Sequence, residues 1–140
     1  MANLTDTLMD IAKDIWQNIG PGYNEVVYHR DFEIGLRLKN INYESEKVIP
    51  IFYKVHTVGH SRIDLEVYNK VVIELKAVNS ITPDAVCQIK NYMKLTDLTE
   101  GLIVNFGQPS KSGSNLTMKW LFEGKIYDFI NGEIINEIDF

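Results

Sequence analysis

The chain is poor in cysteine: Cys87 is the only one in 140 residues, which excludes an intramolecular disulfide framework. Basic residues are also short, with 14 Lys and Arg against 19 Asp and Glu for a net charge of −5. That balance argues against a broad electrostatic grip on nucleic acid, which needs many cations to neutralise phosphates. No apolar run approaches the roughly 20 residues that cross a bilayer, and the opening MANLTDTLMD lacks the basic-then-apolar pattern of a signal peptide. A soluble, intracellular, cytoplasmic protein without membrane contact is expected. His29, His56 and His60 lack compact zinc-ligand spacing, so a structural zinc site is not expected.

With 45% hydrophobic residues the chain suffices for one core, and residues 1–140 are expected to form a single domain. The charge deficit is uneven. Residues 121–140 hold Glu123, Asp128, Glu133, Glu137 and Asp139 against Lys125 alone, so the first 120 residues are nearly neutral.

Leu4, Leu8, Ile11, Ile15 and Ile19 recur at helical spacing behind Asn3 as a cap, which predicts a helix over residues 4–19 closed by Gly20-Pro21-Gly22. A second helix is expected from about Tyr23 to Lys39, with Val27, Ile34 and Leu38 on one stripe and Tyr28, Phe32 and Gly35 on the next. Lys47–Lys54 reads as a first strand, with Pro50 marking an edge or bulge, and Val55–Gly59 as a turn. Strands at Arg62–Val67 and Val71–Lys76 follow, then a helix capped by Thr82-Pro83-Asp84 and running to about Leu95. Its expected stripe is Ala85, Gln88, Tyr92 and Leu95. Further strands are expected at Gly101–Phe106 and Met118–Phe122, with a loop at 107–115 between them. Asn131-Gly132 then predicts a hairpin of Ile126–Ile130 with Glu133–Ile138. A strand–helix–strand crossover over residues 71–106 implies a mixed sheet with helices packed on it.

Three ionisable residues interrupt the apolar strands. Glu74 and Lys76 share one face of their strand while Val71, Ile73 and Leu75 take the other. Whether Asp64 joins them depends on the connection. A two-residue loop at Asn69-Lys70 pairs Asp64 with Leu75 and sends the acids to opposite faces. A three-residue loop over Tyr68, Asn69 and Lys70 sets Asp64 opposite Glu74. Under the second alternative Asp64, Glu74 and the Leu75 carbonyl offer enough oxygen donors for Mg²⁺, and Lys76 stands ready to orient or help deprotonate a water attacking a phosphodiester. The bland alternative is an ordinary solvated strand face.

Glu25 has two readings as well: an acid favoured by the helix dipole, or a carboxylate beside an apolar stripe awaiting a cation or donor. Lys90 and Lys94 are four apart on a predicted helix, able to track a phosphate backbone or simply to be solvated. His60 has the parity of Asp64 if the strand starts early, though a solvated loop histidine is the simpler reading. Cys87 is expected to be a small buried apolar residue.

Gly22-Tyr23-Asn24-Glu25-Val26-Val27-Tyr28 fits Gly-x-x-Glu-x-x-Tyr, and Arg62-Ile63-Asp64-Leu65, Val72–Ala77, Gln88 with Tyr92, and Val104-Asn105-Phe106-Gly107 follow in order. Together these resemble the GxxExxY family of the PD-(D/E)XK nuclease superfamily, with a RecB-like motif arrangement. The resemblance implies a restriction-endonuclease-like α/β fold, a mixed β-sheet flanked by helices, over a core of residues 1–122. It implies Glu25, Asp64, Glu74 and Lys76 as catalytic residues, Asp64, Glu74 and the Leu75 carbonyl as metal ligands, and Glu25 as a further ligand, direct or through water. Gln88 and Tyr92 would contact substrate or brace the site, and Lys90 and Lys94, by their spacing alone, are the remaining substrate-binding candidates. The implied activity is hydrolysis of nucleic acid, DNA before RNA, by Mg²⁺-activated water, with Mn²⁺ able to substitute. The acidic hairpin of residues 123–140 departs from the family pattern; it either caps the sheet edge or offers, like the edge itself, a route to a homodimer. The competing expectation is a catalytically silent module of the same fold that binds a protein partner or nucleic acid.

Overall fold

The computed structural model describes residues 3–140. Helix α1 (Leu4–Ile19) and helix α2 (Glu25–Leu38) precede strands β1 (Tyr43–Tyr53), β2 (His56–Val67) and β3 (Val71–Lys76). Helix α3 (Pro83–Thr96) leads to β4 (Glu100–Asn105), β5 (Thr117–Phe122), β6 (Lys125–Ile130) and β7 (Glu133–Asp139). The strands form one sheet in sequence order. Only β3 and β4 are parallel, as the α3 crossover between them requires. This is the mixed α/β sheet expected from the sequence.

Two apolar clusters sandwich the sheet. One joins Leu8, Ile11, Ile15, Tyr28, Phe32 and Leu36 of α1 and α2 to Leu65, Ile73, Leu75, Leu102 and Val104. The other joins Ile89, Tyr92 and Met93 of α3 to Val72, Ile103 and Leu121. Central β4 is buried along its whole length, as a strand covered by helices on both faces must be. Helices α1 and α2 meet closely at Gly35, where a Cβ would lie 2.6 Å from Ile11 Cγ2.

Several local expectations are corrected. The buried stripe of α2 is Tyr28, Phe32 and Leu36, whereas Ile34 and Leu38 are exposed. The two stripes adjoin, and a single α1 covers just one of them. On α3 the buried residues are Ala85, Ile89, Tyr92 and Met93, while Gln88 and Leu95 are exposed. Cys87 is exposed, not buried, because it lies off the face that packs on the sheet.

Val55–Gly59 is not a turn. Strand β1 starts earlier than expected, the chain reverses at Lys54-Val55 with Lys54 at φ 55°, and β2 begins at His56. A long β1–β2 ribbon results, with an irregularity between Ile51 and Phe52. Pro50 is tolerated because β1 is an edge strand. At the other edge, β6 and β7 extend the sheet, and β7 is exposed throughout. Glu133, Glu137 and Asp139 on that strand discourage pairing with another chain.

Candidate active site

The β2–β3 connection decides the site. Val67 pairs with Val71 and Leu65 with Ile73, so three residues form the loop. Tyr68 and Asn69 take left-handed φ values of 54° and 51°, and the Lys70 N–H donates to Val67 O at 2.9 Å. That is a primed turn with Lys70 as one extra residue. The register therefore carries Asp64 to the level of Glu74, although ladder pairing stops at Leu65 and Ile73. Beyond that point the strands part, and the Leu75 N–H donates to Asp64 Oδ2 at 2.8 Å instead. The carboxylate is thus held by the backbone of the strand that bears the second acid.

Strand β2 also resets its alternation here. Leu65 and Val67 pack under α1 and α2, yet Ile63, of the same parity, packs with α3. The β1–β2 ladder skips a step between the pairs Ser45–Leu65 and Lys47–Ile63, at the level of Asp64 and Glu46, and Glu46 sits there at φ 53°. A non-glycine residue there costs about 1 kcal/mol or more, and such strain collects at functional sites. The reset lets Asp64 and Leu65 both face the α1–α2 side, Leu65 into the core and Asp64 into a cleft.

That cleft, about 320 Å³, is lined by Glu25, Val26, His29, Arg30, Glu33, Ser45, Glu46, Arg62 and Asp64. Glu25 and Asp64, 39 positions apart in sequence, therefore share one cavity. Glu25 is exposed and begins α2. Its placement is fixed from below by Tyr28, which is fully buried. The Tyr28 hydroxyl donates to Gly20 O at 2.6 Å and accepts the Tyr23 N–H at 3.4 Å. Its ring stacks on Phe106, 4.3 Å between centroids and 3° from parallel. The Phe106 N–H in turn donates to Lys76 O at 2.9 Å. One line of contacts thus runs from the turn before Glu25 to the backbone of Lys76.

Asn105 braces the same end. It is 1% exposed; its side-chain oxygen accepts from Val78 N and Gly107 N, and its amide donates to Val78 O and Thr117 Oγ1.

Glu74 is mostly buried, and Lys76 Nζ lies 3.8 Å from its Oε1. Burial, then the Asp64 charge beside it, push the Glu74 carboxyl up to about 8, against a weaker downward pull from Lys76 and Arg62. Burial and the Asp64 charge thus favour the protonated Glu74 carboxyl despite Lys76, and a bound cation would favour the ionised form. The donor set fits a hard divalent ion. Among the described residues, however, no three His, Cys, Asp or Glu stand close enough to hold one metal together, so Glu25 stands apart from the pair.

The remaining candidates lie elsewhere. Tyr92 is buried, and its hydroxyl donates to Glu66 Oε2 at 3.1 Å. Glu66, 3% exposed, also accepts from Lys47 Nζ at 3.1 Å. Burial and the neighbouring Glu66 raise the Tyr92 phenol above its usual range. Gln88 and Lys94 are exposed, and Lys90 lies over the Phe140 ring, 4.4 Å from its centroid.

Sequence reasoning overlooked His29, Arg30, Glu46 and Arg62 as cleft residues. The signal was present for two of them: His29 is one helical turn beyond Glu25, and Arg62 precedes Asp64 by two on a strand.

A model of the PD-(D/E)XK nuclease superfamily matches residues 2–116. The chain belongs to the PD-(D/E)XK nuclease superfamily. The match takes in every element from α1 to β4 and with them the carboxylate pair, Lys76 and Glu25, while β5, β6 and β7 lie beyond it. No curated protein matches the chain. A solved structure titled "Crystal structure of SSO0001" resembles it at 13% identity and a TM-score of 0.44, over 96% of this chain and 80% of that one. Among the described residues no helix is long and apolar enough to cross a membrane.

Proposed function

We propose that this protein is a metal-dependent nuclease that hydrolyses phosphodiester bonds, DNA before RNA, through the site at the β2–β3 divergence. The observation that carries the reading is the Asp64–Glu74–Lys76 arrangement, in which the Leu75 N–H holds Asp64 at 2.8 Å and Lys76 Nζ lies 3.8 Å from the largely buried Glu74 carboxylate. Such an arrangement is costly for a solvated strand face and apt for a cation.

Asp64 and Glu74, with the Leu75 carbonyl, would hold Mg²⁺ or Mn²⁺. When bound, such an ion supplies Lewis-acid charge to a phosphoryl oxygen and lowers the pKa of a water. The chain's own contribution is positional. The Leu75 N–H fixes Asp64, and the Lys76 ammonium, beside Glu74, offsets charge that builds on the phosphate and orients the attacking water. Glu25, across the cleft, would act through a water. Arg62 and His29 would receive the adjoining backbone phosphate. Tyr92 would brace the sheet through Glu66.

The test is cleavage of plasmid and single-stranded substrates with Mg²⁺ or Mn²⁺, comparing wild type with Glu74→Ala and Lys76→Ala. Activity lost in both variants supports the reading. Equal traces in all three proteins mean contamination and overturn it. Mn²⁺ calorimetry should show binding that Asp64→Ala abolishes.

A further inference from the structure

We infer that the outer part of the β1–β2 ribbon is a binding arm for single-stranded nucleic acid leading into the Asp64 cleft; the inference rests on the nuclease reading of that cleft. From Asp64 outward β2 has no partner but β1, since its pairing with β3 ends at Leu65. A lone two-stranded ribbon is marginal in water. This one nonetheless exposes Val48, Phe52, Tyr53, Val55 and Val58, each at least half exposed. Apolar surface of that extent on a projecting element calls for an occupant.

Charge indicates which. In a chain of net charge −5, residues 47–63 contain Lys47, Lys54, His56, His60 and Arg62 and no carboxylate at all. Lys47 is committed to Glu44 and Glu66, and Lys54 lies over the Tyr53 ring. Among the described residues Arg62 pairs with exposed Glu46 alone, at 2.9 Å, a surface contact that a phosphate can replace at little cost.

Register indicates the path. Arg62 lies opposite Val48, His60 opposite Pro50 and Thr57 opposite Phe52. Strand alternation carries Val48 and Pro50 on one face with His60 and Arg62, Phe52 follows just beyond the irregularity at Ile51, and Arg62 lines the cleft with Asp64. The imidazoles of His56 and His60 and the Arg62 guanidinium on β2 thus run beside apolar and aromatic groups on β1, ending at the candidate metal ligands. Backbone phosphates followed by cations and bases stacked on an aromatic ring are how single strands are held without sequence preference. A paired duplex hides the base faces that Phe52 would meet.

Fluorescence anisotropy with a labelled oligothymidylate of about twenty nucleotides, in EDTA so that neither metal nor cleavage intervenes, tests the arm. Wild type should bind the single strand more tightly than the matching duplex. Phe52→Ala should weaken single-strand binding at least fivefold, Phe52→Tyr should restore it, and Arg62→Gln should flatten its salt dependence. Equal affinity for Phe52→Ala and wild type overturns the arm, as does absence of binding or tighter, Phe52-independent duplex binding. So does a Phe52-dependent dimer in sedimentation without oligonucleotide binding. Failure of the two proposals is distinguishable: Lys76-dependent cleavage with Phe52-independent binding removes the arm alone, and Phe52-dependent binding without cleavage removes the nuclease reading alone.

Discussion

Replacing Glu74 by Gln should stabilise the metal-free protein at neutral pH even as it destroys the site. In the folded chain the Glu74 carboxyl titrates at about 8, against an ordinary value near 4.3 in an unfolded chain. The folded state therefore binds more protons than the unfolded state between those values, and stability falls as pH rises through the window. At about 1.4 kcal/mol per unit, the penalty at pH 7 approaches about 3–4 kcal/mol; relaxation around a partly solvated pair reduces it to about 2 kcal/mol. Glutamine keeps the shape and carries no charge, so Glu74→Gln should gain about 2 kcal/mol at pH 7 and nothing near pH 4. In melting temperature that is about 6 °C for a chain of this size. Thermal denaturation of both proteins in EDTA from pH 4 to 8 measures it, and Mn²⁺ should raise the wild-type melting temperature while leaving the variant unmoved. A pH-independent difference, or a variant less stable at pH 7, would refute the argument that the two carboxylates repel within one site.

Tyr28→Phe removes the hydroxyl that donates to Gly20 O and accepts from Tyr23 N, which should cost about 1–2 kcal/mol in denaturant unfolding. Cleavage should fall with it while Mn²⁺ affinity at Asp64 is unchanged, since the α2 terminus, not the carboxylate pair, loses its anchor. Tyr92→Phe leaves buried Glu66 with Lys47 as its remaining partner and should lower stability by about 1–3 kcal/mol. Its kcat and KM should stay at wild-type values; a raised KM without a stability loss would mean that Tyr92 touches substrate instead.

Most of the architecture was legible because the chain is locally consistent. The Asn3 and Thr82 caps accept from Asp6 N and Ala85 N as their positions suggest, and Asn131-Gly132 turns the last hairpin with both residues at positive φ. Burial was less legible where two faces of one helix are both apolar. Ile34 and Leu38 carry the same periodicity as Phe32 and Leu36, and only the position of α1 separates them. The ribbon is hidden in the sequence for a related reason: Val55–Gly59 contains a glycine and a histidine that suit a turn, but pairing with β1 overrides that preference. Glu66 is a carboxylate inside an apolar strand whose partners, Lys47 and Tyr92, are both far away in sequence.

The site itself shows why parity reasoning on a strand can succeed in its conclusion and still miss its cause. An odd loop is necessary for Asp64 to come level with Glu74, and the three-residue loop supplies it. It is not sufficient, because strict alternation would keep either Asp64 or Leu65 from the α1–α2 side. The chain satisfies both by breaking alternation at Asp64, with Glu46 taking a left-handed conformation at its level and the Asp64 carboxylate taking the Leu75 N–H that regular pairing would otherwise engage. Local order is given up at the point where the strands part, which is also where a cation and a phosphate need room. No pattern of residue types announces such a break, since Glu46 and Asp64 are unremarkable in an exposed strand. Only the pairing of two distant segments makes the strain visible, and it falls on Glu46, which lines the same cleft as Asp64.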